Sequence, residues 1–214
     1  MSIGYVQALR LLHRAFGHYP AAHRLHILIR FFTCPFLRTI DDVPAGSRVL
    51  EIGSGHGLYA ELITHERVRE VVAVDPDVRK SVLPSPSPKI RKIAGYDECI
   101  RGQFDAVVIY DATYRMPLDV RRAVFERAFT RLRPGGTFVL KDMDPAHRWK
   151  MKWARFQEWL SDTMLHISIG SGFIYQTREE LGQMLGEIGF TDFRGRAIDR
   201  GYLHPHMIYT ARKP

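Results

Sequence analysis

The sequence predicts an α/β fold with helices packed on a mainly parallel sheet. Three observations predict it. Short apolar runs at 48–52, 71–75, 90–94, 104–110 and 136–140 have strand length, and a turn signal or an acid follows most of them. Helical periodicity intervenes at 58–65 and 118–132, so strands and helices alternate as in βαβ units. Two further strand-like runs, 190–197 and 206–212, come last.

The first 43 residues stand apart as a basic helical extension. Residues 1–40 contain no acid, against Arg10, Arg14, Arg24, Arg30 and Arg38. Val6, Leu9, Leu11, Leu12, Ala15 and Phe16 suggest an amphipathic helix ending near Gly17. Pro20 permits a second helix with Leu25, Ile27, Leu28, Phe31 and Phe32 as its apolar side, closed by Pro35. The extension is expected to pack on the sheet and partly cap the pocket. An alternative role is a surface helix on an anionic membrane. His13, His18, His23 and His26 are not read as sharing one helix face at ligand spacing, so no metal site is expected.

The main domain, 44–214, begins after the turn Asp41-Asp42-Val43-Pro44-Ala45-Gly46. Its first strand runs into Glu51-Ile52-Gly53-Ser54-Gly55-His56-Gly57, and a helix follows with Leu58, Leu62 and Ile63 on one face. The glycines allow close backbone approach and positive φ, and amides at the helix start can face an anionic or nucleotide-like ligand. The dinucleotide spacing G-x-G-x-x-G fails, because its third glycine would fall on Leu58. The next strand ends in Asp75, followed by Pro76; a carboxylate there can accept both hydroxyls of a ribose. A later strand ends at Tyr110-Asp111, and Leu132-Arg133-Pro134-Gly135-Gly136 turns into another.

Together these landmarks resemble the motifs of class I S-adenosylmethionine (SAM) methyltransferases, in the same order, from about Ser47 to the C-terminus. The resemblance implies a Rossmann-like, seven-stranded, mostly parallel sheet whose last two strands form an antiparallel hairpin. It implies SAM as cofactor. Glu51, Gly53, Ser54, Gly55 and Gly57 would position the amino-acid end of SAM, and Asp75 with Pro76 would lie at the ribose. Asp97 would bond the adenine amine and Tyr96 would flank the ring, with Tyr110 and Asp111 completing the cofactor side. Asp111-Ala112-Thr113-Tyr114 matches only the outer residues of the D/N-P-P-Y/F motif of nucleic-acid and amide N-methyltransferases. Catechol-type O-methyltransferases have a magnesium-ligating acid at this place, then a lysine where Tyr114 stands here, and Asp-Asn where Asp142-Met143 stands. No metal is therefore assigned, and Asp142 and Asp144 are read as loop acids capping the next helix.

Helix 118–132 should bury Val120, Val124, Ala128 and Phe129. An inserted helix at about 146–165 carries all three tryptophans. Trp149, Trp153, Phe156 and Leu160 form an apolar stripe beside Arg148, Lys152 and Arg155, suited to a lid over a lipophilic or acidic acceptor. Thr177 and Glu180 make a capping box for the last helix. His206, at the start of the final strand, is a candidate general base, with Tyr114 and Asp111 as its acceptor-side companions.

At 214 residues the chain can bury a substantial core. No apolar run approaches membrane-spanning length, the N-terminus lacks a signal-peptide core, and Cys34 and Cys99 have no redox or metal spacing. A cytoplasmic location follows as an expectation, with peripheral membrane contact as an option. The net charge of +8 favours an anionic partner. The leading expectation is methylation of a small or lipid-like acceptor on oxygen. The alternatives are a nucleic-acid N-methyltransferase and a non-catalytic SAM-binding partner subunit. The oligomeric state is not legible.

Overall fold

The computed structural model describes residues 3–81, 83–146, 149–152 and 174–214. Seven strands form one sheet: β1 (Arg48–Ile52), β2 (Glu70–Asp75), β3 (Ile90–Ala94), β4 (Phe104–Tyr110), β5 (Leu132–Met143), β6 (Thr191–Ala197) and β7 (His206–Arg212). Their order across the sheet is β3-β2-β1-β4-β5-β7-β6. The first five are parallel, whereas β7 runs antiparallel between β5 and β6. Strands covered on both faces need apolar side chains on both, which is why β1, β2 and β4 read as unbroken runs rather than alternating ones.

Helices fill both faces. On one lie α1 (Tyr5–Phe16), α2 (Ala21–Thr33) and α3 (Leu58–Glu66), and on the other α5 (Leu118–Arg131) and α6 (Arg178–Ile188). A short helix, α4 (Val78–Ser81), follows β2. Phe16, Ile27, Phe31 and Phe36 of the extension join the same core as Leu62 and Ile63 of α3. Thr177 and Glu180 cap α6 reciprocally: the Glu180 amide donates to the Thr177 hydroxyl, and the Thr177 amide donates to the Glu180 carboxylate.

Two sequence expectations need correction. In α2 only Ile27 and Phe31 of the expected apolar side are buried; Leu25, Leu28 and Phe32 face outward. In α5 Val120 is exposed and Arg121 lies inside, because a main-chain carbonyl layer there offers it partners. On the inner side of α2, the rings of His23 and His26 both meet His56, with centroids 5.0 and 5.5 Å away. Of the expected insert, Trp149 to Lys152 is helical; Trp153, Arg155, Phe156, Trp159 and Leu160 lie outside the described residues.

The sheet order reverses direction at β1, which has β2 on one side and β4 on the other. In open parallel sheets such a reversal opens a crevice at the carboxyl ends of the strands. The glycine turn, Asp75 and Asp111 all stand there.

Candidate active site

The glycine turn holds three positive backbone angles in five residues: φ is +73° at Gly53, +56° at Gly55 and +86° at Gly57. A β-carbon on Gly53 would also stand 2.6 Å from the Ala112 methyl, so glycine lets the first and fourth strand ends approach. The turn is closed on itself. Gly53 and Ser54 amides donate to the Val74 carbonyl, and the Gly57 amide donates to the Ser54 carbonyl. The Gly53, Ser54 and Gly57 amides are thus spent on shape.

Asp75 ties that shape to β2. Its carboxylate accepts the Gly55 amide at 2.7 Å and the Asp77 amide at 2.9 Å. An ionised carboxylate accepts at about four positions, so amide contacts and ribose hydroxyls are compatible. Pro76, beside it, is exposed. Glu51 is buried beneath the turn, and its Oε2 finds no partner among the described residues; neither does the buried Ser54 hydroxyl. Burial, and then the neighbouring Asp75, push the Glu51 carboxyl up to about 8. Lys92 of β3 lies nearby and donates to the carbonyls of His56, Lys80 and Leu83, joining the turn to the segment after α4.

Asp97 sits in a one-turn helix after β3, and both its oxygens receive Arg127 of α5, at 2.6 and 3.1 Å. An adenine amine at this place would share the carboxylate with that guanidinium. Tyr96 next to it is exposed, free of the packing that would fix its ring. Tyr110, by contrast, is packed in the core, stacked on Phe36 at 4.5 Å and close to Tyr59 at 4.7 Å.

Asp111 is the hub of a buried polar cluster. It holds φ of +55°, and its carboxylate receives Lys141 of β5, Arg30 of α2 at 3.2 Å and the Cys34 thiol at 3.5 Å. Burial works to raise its pKa, but Lys141 and Arg30 outweigh burial and hold the carboxyl well below the usual range. His206 is 2% exposed; its Nε2 contacts the Thr33 carbonyl at 3.0 Å, and its Nδ1 has no partner among the described residues. Burial, then Lys141, push it down to about 2, so it is neutral. Tyr114 stacks on Tyr175 at 5.9 Å, beside Met143 and Met151. The sequence reading missed Arg30, Lys141 and Lys92. A lysine inside a buried strand was the available signal for Lys141, since burial of an ammonium requires partners.

Behind Tyr114, buried Arg121 donates to the Thr113 and Ile174 carbonyls at 2.9 and 2.6 Å, and to Gln176 at 2.6 Å. Asp142 accepts the Thr113 hydroxyl and the Met143 amide, so it braces its own loop; burial raises its carboxyl. Asp144 accepts the Ala146 amide.

A family model described as methyltransferase domain matches residues 21–193. The chain belongs to the methyltransferase family. No curated protein matches it. Solved structures share the fold. A SAM-dependent methyltransferase of Thermotoga maritima is 16% identical at TM-score 0.66, with 97% of this chain and 100% of that one covered. A Haloferax volcanii methyltransferase complexed with the Trm112 activator gives 14% identity and TM-score 0.67, covering 87% and 92%. A mycolic acid cyclopropane synthase complexed with SAH and CTAB gives 14% and 0.61, covering 82% of each.

This SAM-dependent methyltransferase brings the glycine turn, Glu51 and Asp75 together at the carboxyl ends of β1 and β2. The glycine cradle, which a side chain at Gly53 would fill, and the unpartnered Glu51 and Ser54 oxygens fit a ligand with an ammonium-bearing tail and a ribose.

Proposed function

We propose that the enzyme methylates a small or lipid-like acceptor on oxygen. The observation that carries this reading is the apolar cluster of Tyr114, Met143, Met151 and Tyr175 at the carboxyl ends of β4 and β5. Methionine and aromatic walls suit an apolar or aromatic body of variable shape. SAM supplies a methyl group on an activated sulfonium. The chain's own contribution is alignment: Glu51 beside the amino-acid tail, Asp75 at the ribose, Tyr96 and Asp97 on the adenine side, and Tyr114 at the acceptor. Asp111 is a weak base while Lys141 and Arg30 hold it ionised, and its part is to anchor them. His206, buried and pushed down to about 2, is likewise a weak base, and its ring meets the Thr33 carbonyl.

A nucleic-acid acceptor fits less well. Arg48, Arg67, Arg79, Arg127, Arg133 and Arg196 are each paired with an acid rather than gathered on one open face.

Isothermal titration with SAM, then transfer of labelled methyl into a cell extract, tests both halves. The wild type is expected to bind SAM. Gly53→Ala, strained by about 1–3 kcal/mol in this backbone region, and Asp75→Ala are each expected to weaken binding about tenfold or more. Label is expected in the organic-soluble fraction. Label in RNA, or unchanged affinity in both variants, contradicts the proposal.

A further inference from the structure

The α2 helix carries apolar side chains on both its inner and its outer side. Inside, Ile27 and Phe31 are buried in the core, His23 and His26 rest on His56 of the glycine turn, and Arg30 reaches Asp111. Its outer face is apolar. Leu25, Leu28, Ile29 and Phe32 recur at i, i+3, i+4 and i+7 and are 60%, 40%, 51% and 57% exposed. Ala21 and Ala22 continue the same exposed side. At the start of α1, Tyr5 is also exposed; it packs edge-on against Phe31 at 5.9 Å and extends the patch. Isolated exposed apolar residues need no account, but four on one helix face do.

Charge decides what can cover this face. From residue 3 to residue 40 there is no aspartate or glutamate, and Arg10, Arg14 and Arg24 are exposed. A second copy docking by the same face would set these arginines against their own kind. The outer face also offers no polar side chain with which a protein partner of fixed shape would pair. Apolar side chains with Arg24 beside Leu25, on an extension that holds no acid, match the boundary between anionic headgroups and acyl chains.

We propose that the outer face of α2, with the start of α1, is a docking surface for an anionic lipid bilayer. The helix lies on the bilayer and does not cross it; among the described residues no helix is long and apolar enough to span. Because its inner face touches both the glycine turn and Asp111, docking would place those strand ends about one helix diameter, roughly 10 Å, from the lipid. The inference goes beyond methyl transfer and holds whether or not the acceptor is itself a lipid.

The test is co-sedimentation of the full chain with vesicles of phosphatidylcholine alone, or of phosphatidylcholine mixed with phosphatidylglycerol. The wild type should pellet with the mixed vesicles, less so at high salt, and not with phosphatidylcholine alone. Leu28→Asp with Phe32→Asp should weaken pelleting about tenfold or more, while Val120→Asp, on exposed α5 surface, should leave it unchanged. A thermal melt checks that each variant is folded; Phe32→Ser replaces the double variant if that one is not. Failure of the wild type to pellet, or pelleting that no α2 variant reduces, overturns the proposal. So does a dimer that Leu28→Asp separates, or binding to polyglutamate through the same residues without vesicle binding; those results assign the face to a second copy or to an acidic protein. Since vesicle binding is read without SAM or acceptor, failure here leaves the methyl-transfer reading standing.

Discussion

Arg30 of α2 and Asp111 at the end of β4 lie 3.2 Å apart, with Lys141 of β5 also on the Asp111 carboxylate. Three segments distant in sequence are therefore held by one buried anion. Lys141 is fully buried, whereas Arg30 is about one-third exposed, so the two cations depend on Asp111 unequally.

Asp111→Asn should leave the Lys141 ammonium buried without a counter-charge and destabilise the fold by about 3–5 kcal/mol. Arg30→Ala removes the more solvated partner and should cost about 1 kcal/mol or less. Replacing both members of the inner pair, Asp111→Leu with Lys141→Met, should cost less than Asp111→Asn alone. Urea unfolding midpoints measure all three. A midpoint for Asp111→Asn equal to wild type would remove the cluster from the structural account.

Glu51 makes stability depend on pH in the opposite direction to a paired carboxylate. Burial and Asp75 raise its carboxyl to about 8, while Lys92 and the Ala60 amide act against the rise. The folded state then holds a proton that the unfolded state has released. Its contribution is complete below the unfolded carboxyl value of about 4.3 and is lost as pH rises toward about 8. Glu51→Gln should abolish that slope, a difference on the order of 5 kcal/mol across the window. In wild type the ammonium of the cofactor tail favours the ionised carboxylate, so SAM affinity should climb from about pH 6 to about pH 8. Titrations showing the same climb in Glu51→Gln would exclude this origin.

Arg121 should behave as a local clamp. Its donors hold Thr113, just after β4, and Ile174 and Gln176, just before α6. Arg121→Leu leaves those carbonyls buried and unmatched, which costs about 1–3 kcal/mol each. Hydrogen exchange should accelerate first at 113–116 and 174–177, before the sheet. Uniform acceleration across the chain would mean that the loss is global instead.

The parts of the fold that were legible from sequence are those fixed by local chemistry. Apolar runs gave the strands, the Glu51-to-Gly57 stretch gave the turn, and Thr177 with Glu180 gave the start of α6. What stayed hidden depends on distant partners. The orientation of α2 could not be read, since periodicity reports an apolar face but not which side of the helix the sheet offers. Here the sheet end offers Asp111 and the glycine turn, so His26 and Arg30 turn inward and Leu28 outward. Arg121 was invisible for the same reason: its partners are main-chain carbonyls, and these carry no sequence signature. Asp97 looked available in sequence and is engaged by Arg127 from a helix thirty residues on.

The strand order also leaves two outer rims, β3 and β6. β3 carries exposed Arg91, β6 carries Arg194 and Arg196, and the β6 register shifts between Thr191 and Arg194. Unpaired rims of this kind invite other chains to add on, and cationic side chains with broken register oppose it. Part of the surplus positive charge thus guards the molecule against stacking into aggregates, a duty that needs no anionic ligand.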